Sequence, residues 1–126
     1  MAFEAKFGSF NVITTGIGNT QAISGLGLTP KIVFFWSSGR TESVDAVGSR
    51  DLISMFGVGI SSTDRRFSAV RSRNGQAVSA GDEAHREDTC LGFTDGLGAF
   101  DGYMDLQSLD SDGFTLVVDN QLSVGY

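Results

Sequence analysis

The sequence is short of the residues that staple, break or catalyse. It has a single cysteine, Cys90, so no intrachain disulfide can form; the chain reads as one made for a reducing compartment, with a buried and inert thiol. The sole histidine, His85, is the only candidate for imidazole chemistry, and its neighbours Asp82, Glu83, Glu87 and Asp88 mark it as a hydrated side chain in a polar excursion over residues 81–89. Gly-x-Ser-x-Gly, His-Glu-x-x-His and paired cysteines are missing, which removes the patterns by which nucleophile elbows and zinc sites are read from sequence. No apolar run approaches the ~20 residues of a membrane-spanning helix, and Glu4 puts a charge where a leader peptide would have its apolar core. These absences point to a soluble chain that is not an enzyme, with no cofactor, metal or membrane partner.

Proline is also nearly absent. The one proline, Pro30, stands among 17 glycines, so glycine turns do the punctuating, while 40% apolar residues and ten phenylalanines provide a core. At 126 residues the chain is a single domain, residues 1–126. Its most apolar stretch, Ile-Val-Phe-Phe-Trp at residues 32–36, follows Pro30 directly. Proline fixes φ and lacks an N–H, so it suits a strand's first residue. Five apolar residues in a row predict burial on both faces, by a second layer of this chain or by a neighbouring subunit, with Ile32 and Phe34 on one face and Val33 and Phe35 on the other.

The other segments follow from period two and turn chemistry. Residues 3–14 alternate as one or two opening strands; residues 21–24 form a brief strand after a glycine turn; residues 37–51 form a long polar loop of the kind a partner orders. In residues 53–60, Gly57 and Gly59 mark a bulge or a close approach of another backbone. Residues 66–73 set Phe67 and Ala69 against Arg66, Ser68 and Val70, and Asn74-Gly75 is a hairpin signal leading to a strand at 76–80. Residues 90–94, 103–109, 114–119 and 122–126 complete the strands, with a turn at 110–113. Ser108, Asp110, Asp112 and Asp119 share some of the spacing of a calcium loop, but the bidentate Glu at position twelve is missing and strands replace its helices. No stretch has a helical period. The fold class is all-β: an antiparallel sandwich or jelly roll of about eight to ten short strands.

The net charge of −6 is concentrated in the second half, where residues 64–126 carry five basic and eleven acidic side chains. Such a surface argues against nucleic acid as a partner, since a backbone binder needs positive potential on its docking face. Arg65, Arg66, Arg71 and Arg73 cluster against this trend, and the expectation is a homotrimer in which that strip meets acids of residues 82–112 in the next subunit. Trp36 and Arg40, with Tyr103, are candidates for stacking a sugar or packing an interface.

Four ordered features carry a resemblance: the glycine turn and strand at residues 15–25, Gly-Leu-Thr-Pro-Lys-Ile-Val-Phe-Phe-Trp at 27–36, Met-Phe-Gly-Val-Gly at 55–59, and Asp-Ser-Asp-Gly-Phe-Thr-Leu at 110–116. Together they resemble a family of small β-domains in virion structural proteins of tailed bacteriophages and prophages. The resemblance spans nearly the whole chain and contains no catalytic motif. It implies virion architecture and trimeric assembly: a capsid decoration or cement protein, made in the bacterial host cytoplasm and seated on the major capsid protein at the capsid surface. A start at Met1 with no shaft attached favours that location, and an end at Tyr126 suggests a fragment, because family members run on past the tyrosine. The alternative is a receptor-binding head of a fibre or spike that binds a host surface glycan, since trimeric H-type lectins have a similar Pro-Lys-apolar strand.

Overall fold

The computed structural model describes residues 4–40, 52–73, 80–95 and 99–123. Eight strands and no helix are found among them: β1 (Thr20–Ile23), β2 (Val33–Arg40), β3 (Leu52–Gly59), β4 (Arg65–Arg73), β5 (Ala80–Arg86), β6 (Leu91–Thr94), β7 (Phe100–Asp110) and β8 (Gly113–Asn120). They form two antiparallel four-stranded sheets, β1-β8-β7-β6 and β2-β3-β4-β5. The all-β sandwich is therefore the observed form. Consecutive strands stay side by side: one sheet is a plain meander, and the other is a β6-β7-β8 meander with β1 added beside β8.

The sheets close on a phenylalanine-rich core. Phe10, Phe35 and Phe114 meet edge to face, with ring centroids 5.6 to 6.4 Å apart, and Phe67, Phe93, Met104, Leu106, Leu116 and Val118 fill the layer beyond. Gly57 is required by closeness, as its residue type suggested. A Cβ there would overlap the carbonyl oxygen of Cys90, and the register of β3 with both neighbours runs unbroken, so close approach and not a bulge explains the glycine.

β2 alternates as expected but is not covered as expected. Phe35 is 4% exposed, whereas Phe34 is 63% and Trp36 74% exposed. The apolar run fits both faces of a strand, yet the described residues supply a second layer on only one of them. β2 also begins at Val33, three residues after the buried Pro30, and continues through Ser37 and Ser38 to Arg40, each paired with β3. Residues 37–40 of the expected long loop are thus strand, because pairing overrides the weak strand preference of small polar residues; residues 41–51 lie outside the described ones.

Two more segments differ from expectation. Residues 4–19 contain no strand, although Phe10 and Val12 do turn into the core. In place of a ladder, the side-chain amide of Gln21 receives the Ile13 N–H at 3.1 Å and donates to the Asn11 carbonyl at 2.7 Å. The polar excursion at 81–86 is part of β5, paired in register with β4 from Phe67↔Arg86 to Arg73↔Ala80. The Asn74-Gly75 turn and residues 76–79 of the strand expected after it fall outside the described residues.

The turn at 110–113 is a two-residue hairpin, and its Asp112 has a longer reach. Its carboxylate accepts the N–H of Gly25 at 2.9 Å and of Gly27 at 2.6 Å, tying the β7–β8 hairpin to the connection that leads into β2. These two backbone donors, Gly27 first, hold the Asp112 carboxyl below its ordinary range.

Candidate functional site

The outer face of the β2-β3-β4-β5 sheet is the feature a lone chain does not explain. Register aligns its outward residues in rows: Phe34, Val58 and Arg66; Trp36, Phe56, Ser68 and His85; Ser38, Ser54, Val70 and Glu83. Phe34, Trp36, Leu52, Phe56 and Val70 are exposed on it, with Ile32 and Ile60 exposed just beyond the strand ends. Phe34 and Phe56 stack diagonally at 6.1 Å, so the rings form one surface beside Trp36. With 150–250 Å² per aromatic side chain, three rings half to three-quarters exposed leave roughly 350 Å² bare before any aliphatic neighbour is added.

The aromatic rings of the patch are confined to β2 and β3. Across β4 and β5 the same face is polar apart from Val70, with Arg66, Ser68, Glu83 and His85. Round the free edge of β2 the apolar surface continues into a cleft of about 160 Å³ between residues 8–10 and β2, floored by Met55 and Phe93. Phe7, next in sequence to the cleft residue Gly8, is 96% exposed.

The arginines expected to form a strip are divided by strand parity. Arg66 lies on the outer face, 3.8 Å from Asp64. Arg65, Arg71 and Arg73 share the inward side with Phe67 and Ala69. Arg65 grips the buried Asp105 with two hydrogen bonds, 2.8 Å from Nε and 2.7 Å from Nη2, and Arg71 reaches the carbonyl of Thr94 at 3.4 Å. The acids that were expected in a neighbouring subunit are thus met, for Arg65, inside the same chain, and no continuous basic strip faces outward. Trp36 is central to the exposed patch. Arg40 ends β2, and its side chain is not among those described.

The sugar platform of Trp36, Arg40 and Tyr103 is not assembled. Tyr103 belongs to the opposite sheet, packed on Phe100 at 5.6 Å, and its face is capped by the guanidinium of Arg86 at 4.2 Å. Arg86 is held there by two hydrogen bonds to Asp88, 2.8 and 2.6 Å, which keep the Asp88 carboxyl below its ordinary range. His85 projects outward on β5. Cys90 is fully buried with its thiol toward the Met104 carbonyl at 3.7 Å, and burial pushes that thiol far above its usual range. Among the described residues, no group of three His, Cys, Asp or Glu side chains is placed to hold a metal ion, and no helix is long and apolar enough to cross a membrane.

Searches against protein-family models, curated proteins and solved structures found no match.

Proposed function

We propose that this chain is a structural protein of a tailed-bacteriophage virion: a capsid decoration protein that does no chemistry, seats on the outer surface of the head and bridges neighbouring subunits of the major capsid protein. The observation that carries the reading is the aromatic half of the β2-β3-β4-β5 outer face, where Phe34, Trp36 and Phe56 stand at 63, 74 and 52% exposure on a rigid sheet. Large apolar patches rimmed by polar residues mark interaction surfaces, and aromatic anchors supply most of the energy of a protein interface. The phage assignment rests on the resemblance of residues 27–36 and 110–116, the two stretches that the Asp112 tie brings together.

A bridge that binds only the assembled shell stabilises it by mass action. Heads stripped of the protein should release their contents at a lower temperature than decorated heads, and added protein should restore the difference. The Phe34→Lys/Trp36→Lys variant should fold normally and fail to restore it. Location at the tail tip, or restoration by the variant, overturns the reading. A receptor-binding head has one feature in its favour, the bare face of Trp36; glycan-array binding lost in Trp36→Ala would establish it instead.

A further inference from the structure

We infer that two copies of this chain join along their β2 strands, forming one continuous eight-stranded sheet across a two-fold axis. The first argument is the edge itself. Among the described residues β2 pairs only with β3, and none of them supplies a strand to its other side along Val33–Arg40. Folded proteins guard such edges with charge, proline or brevity. β2 has no charged residue before Arg40 and no proline within it, and no backbone hydrogen bond joins it to residues 8–12, which stand across the cleft.

The second argument concerns why the occupant is another copy. At a net charge of −6, two copies repel over most of their surfaces, and the region they can bring together is the neutral one. An antiparallel two-fold pairing of β2 with itself sets no like charges opposite one another over residues 33–39. Because pairing preserves the alternation of faces, the outward Phe34 and Trp36 of one strand fall beside the outward Phe34 and Trp36 of the other, and aromatic cross-strand pairs are among the favourable ones. The same pairing of β5 with β5 would bring Glu83 and its neighbours Asp82 and Glu87 together.

The third argument is what the contact covers. Pairing strand edge to strand edge covers the backbone edge of β2 and the flanks of the outward Phe34 and Trp36, its two most exposed apolar side chains. This two-fold contact does not use the arginines expected in a three-fold one, of which Arg65, Arg71 and Arg73 lie on the inward side of β4. It stands whether or not the protein coats a shell.

Sedimentation of the full chain at roughly 100 µM, well above a micromolar dissociation constant, tests it. The expected result is a dimer, with Phe34→Lys/Trp36→Lys monomeric at unchanged melting temperature, since both side chains are exposed in the single chain. Hydrogen exchange should show β2 amides slowing as concentration rises while those of β5 do not change. A monomer, a trimer, or a dimer that survives the double variant with β2 exchange independent of concentration overturns the inference.

Discussion

The two edges of one sheet, alike in length and in lacking proline, differ in charge. β5, with sequence Ala-Gly-Asp-Glu-Ala-His-Arg, points Glu83 and His85 into solvent and carries Asp82 and Arg86 on its inward side; β2, with sequence Val-Phe-Phe-Trp-Ser-Ser-Gly-Arg, has its first charge at its last residue. Both strands are held by the same meander and face the same opposite layer. One is built to end a sheet and the other to continue one. The aromatic outer face lies against the unguarded edge, not the guarded one, which is where the inferred dimer has its contact.

The largest expected effect separates the two sides of β2. Phe35→Ala removes a ring at the centre of the three-phenylalanine cluster and should cost about 3–5 kcal/mol in urea unfolding. Phe34→Ala or Trp36→Ala, one residue away, should change the stability of a dissociated chain by about 0.5 kcal/mol or less. Equal costs would mean that the outer rings are already covered.

Next in size is the ion pair that took Arg65 out of the expected strip. Asp105→Ala leaves a guanidinium largely buried without its partner and should cost about 3 kcal/mol. The double replacement Arg65→Met/Asp105→Leu should recover most of that loss, which a surface arginine would not require.

The edge comparison can be broken deliberately. Glu83→Val/His85→Val strips the outward guard from β5 and should produce concentration-dependent aggregation at nearly unchanged melting temperature, because both positions are exposed. A soluble variant would show that charge is not what protects that edge.

The smallest effect is on the acid limb. The Arg86 hydrogen bonds hold the folded-state pKa of Asp88 below its unfolded value, so the pair stabilises the chain above the unfolded value and ceases to do so as pH falls through the folded one. Asp88→Asn should therefore lower the melting temperature slightly at neutral pH and not at all near pH 2, where the wild-type carboxylate is also neutral. Since Asp88 is mostly exposed, a large shift would contradict this.

Much of the fold was legible because strands announce themselves locally. Phe67 and Ala69 alternate with Arg66, Ser68 and Val70 in the sequence and do so in space, and the 110–113 turn joins the strands it was expected to join. β5 was not legible: residues 81–86 contain no β-branched or aromatic residue, and the strand exists because β4 templates it. The opening alternation at 3–14 was read as strand, but its described residues, 4–14, form none, and Asn11 and Ile13 bond instead to the side chain of Gln21.

The candidate site was half legible. Trp36 was singled out, but period two reports which residues could be buried and not whether anything covers them. Phe56 joined it only through a register fixed across 20 residues of chain. The arginines misled because a cluster in sequence becomes two faces on a strand, and the tie from Asp112 to Gly25 and Gly27 spans 87 and 85 residues and has no local trace.

Trp36 is the only tryptophan, so its fluorescence reports on the patch without modification. In a dilute, dissociated chain its emission should be that of a solvated indole and readily quenched by acrylamide. Raising the concentration should shift the emission to the blue and reduce quenching together with dimer formation, because the ring leaves water as the β2 edges close. An emission maximum and quenching constant that remain those of a solvated indole while the chain dimerises would contradict the central claim that the β2 edge and its outer rings are the contact surface.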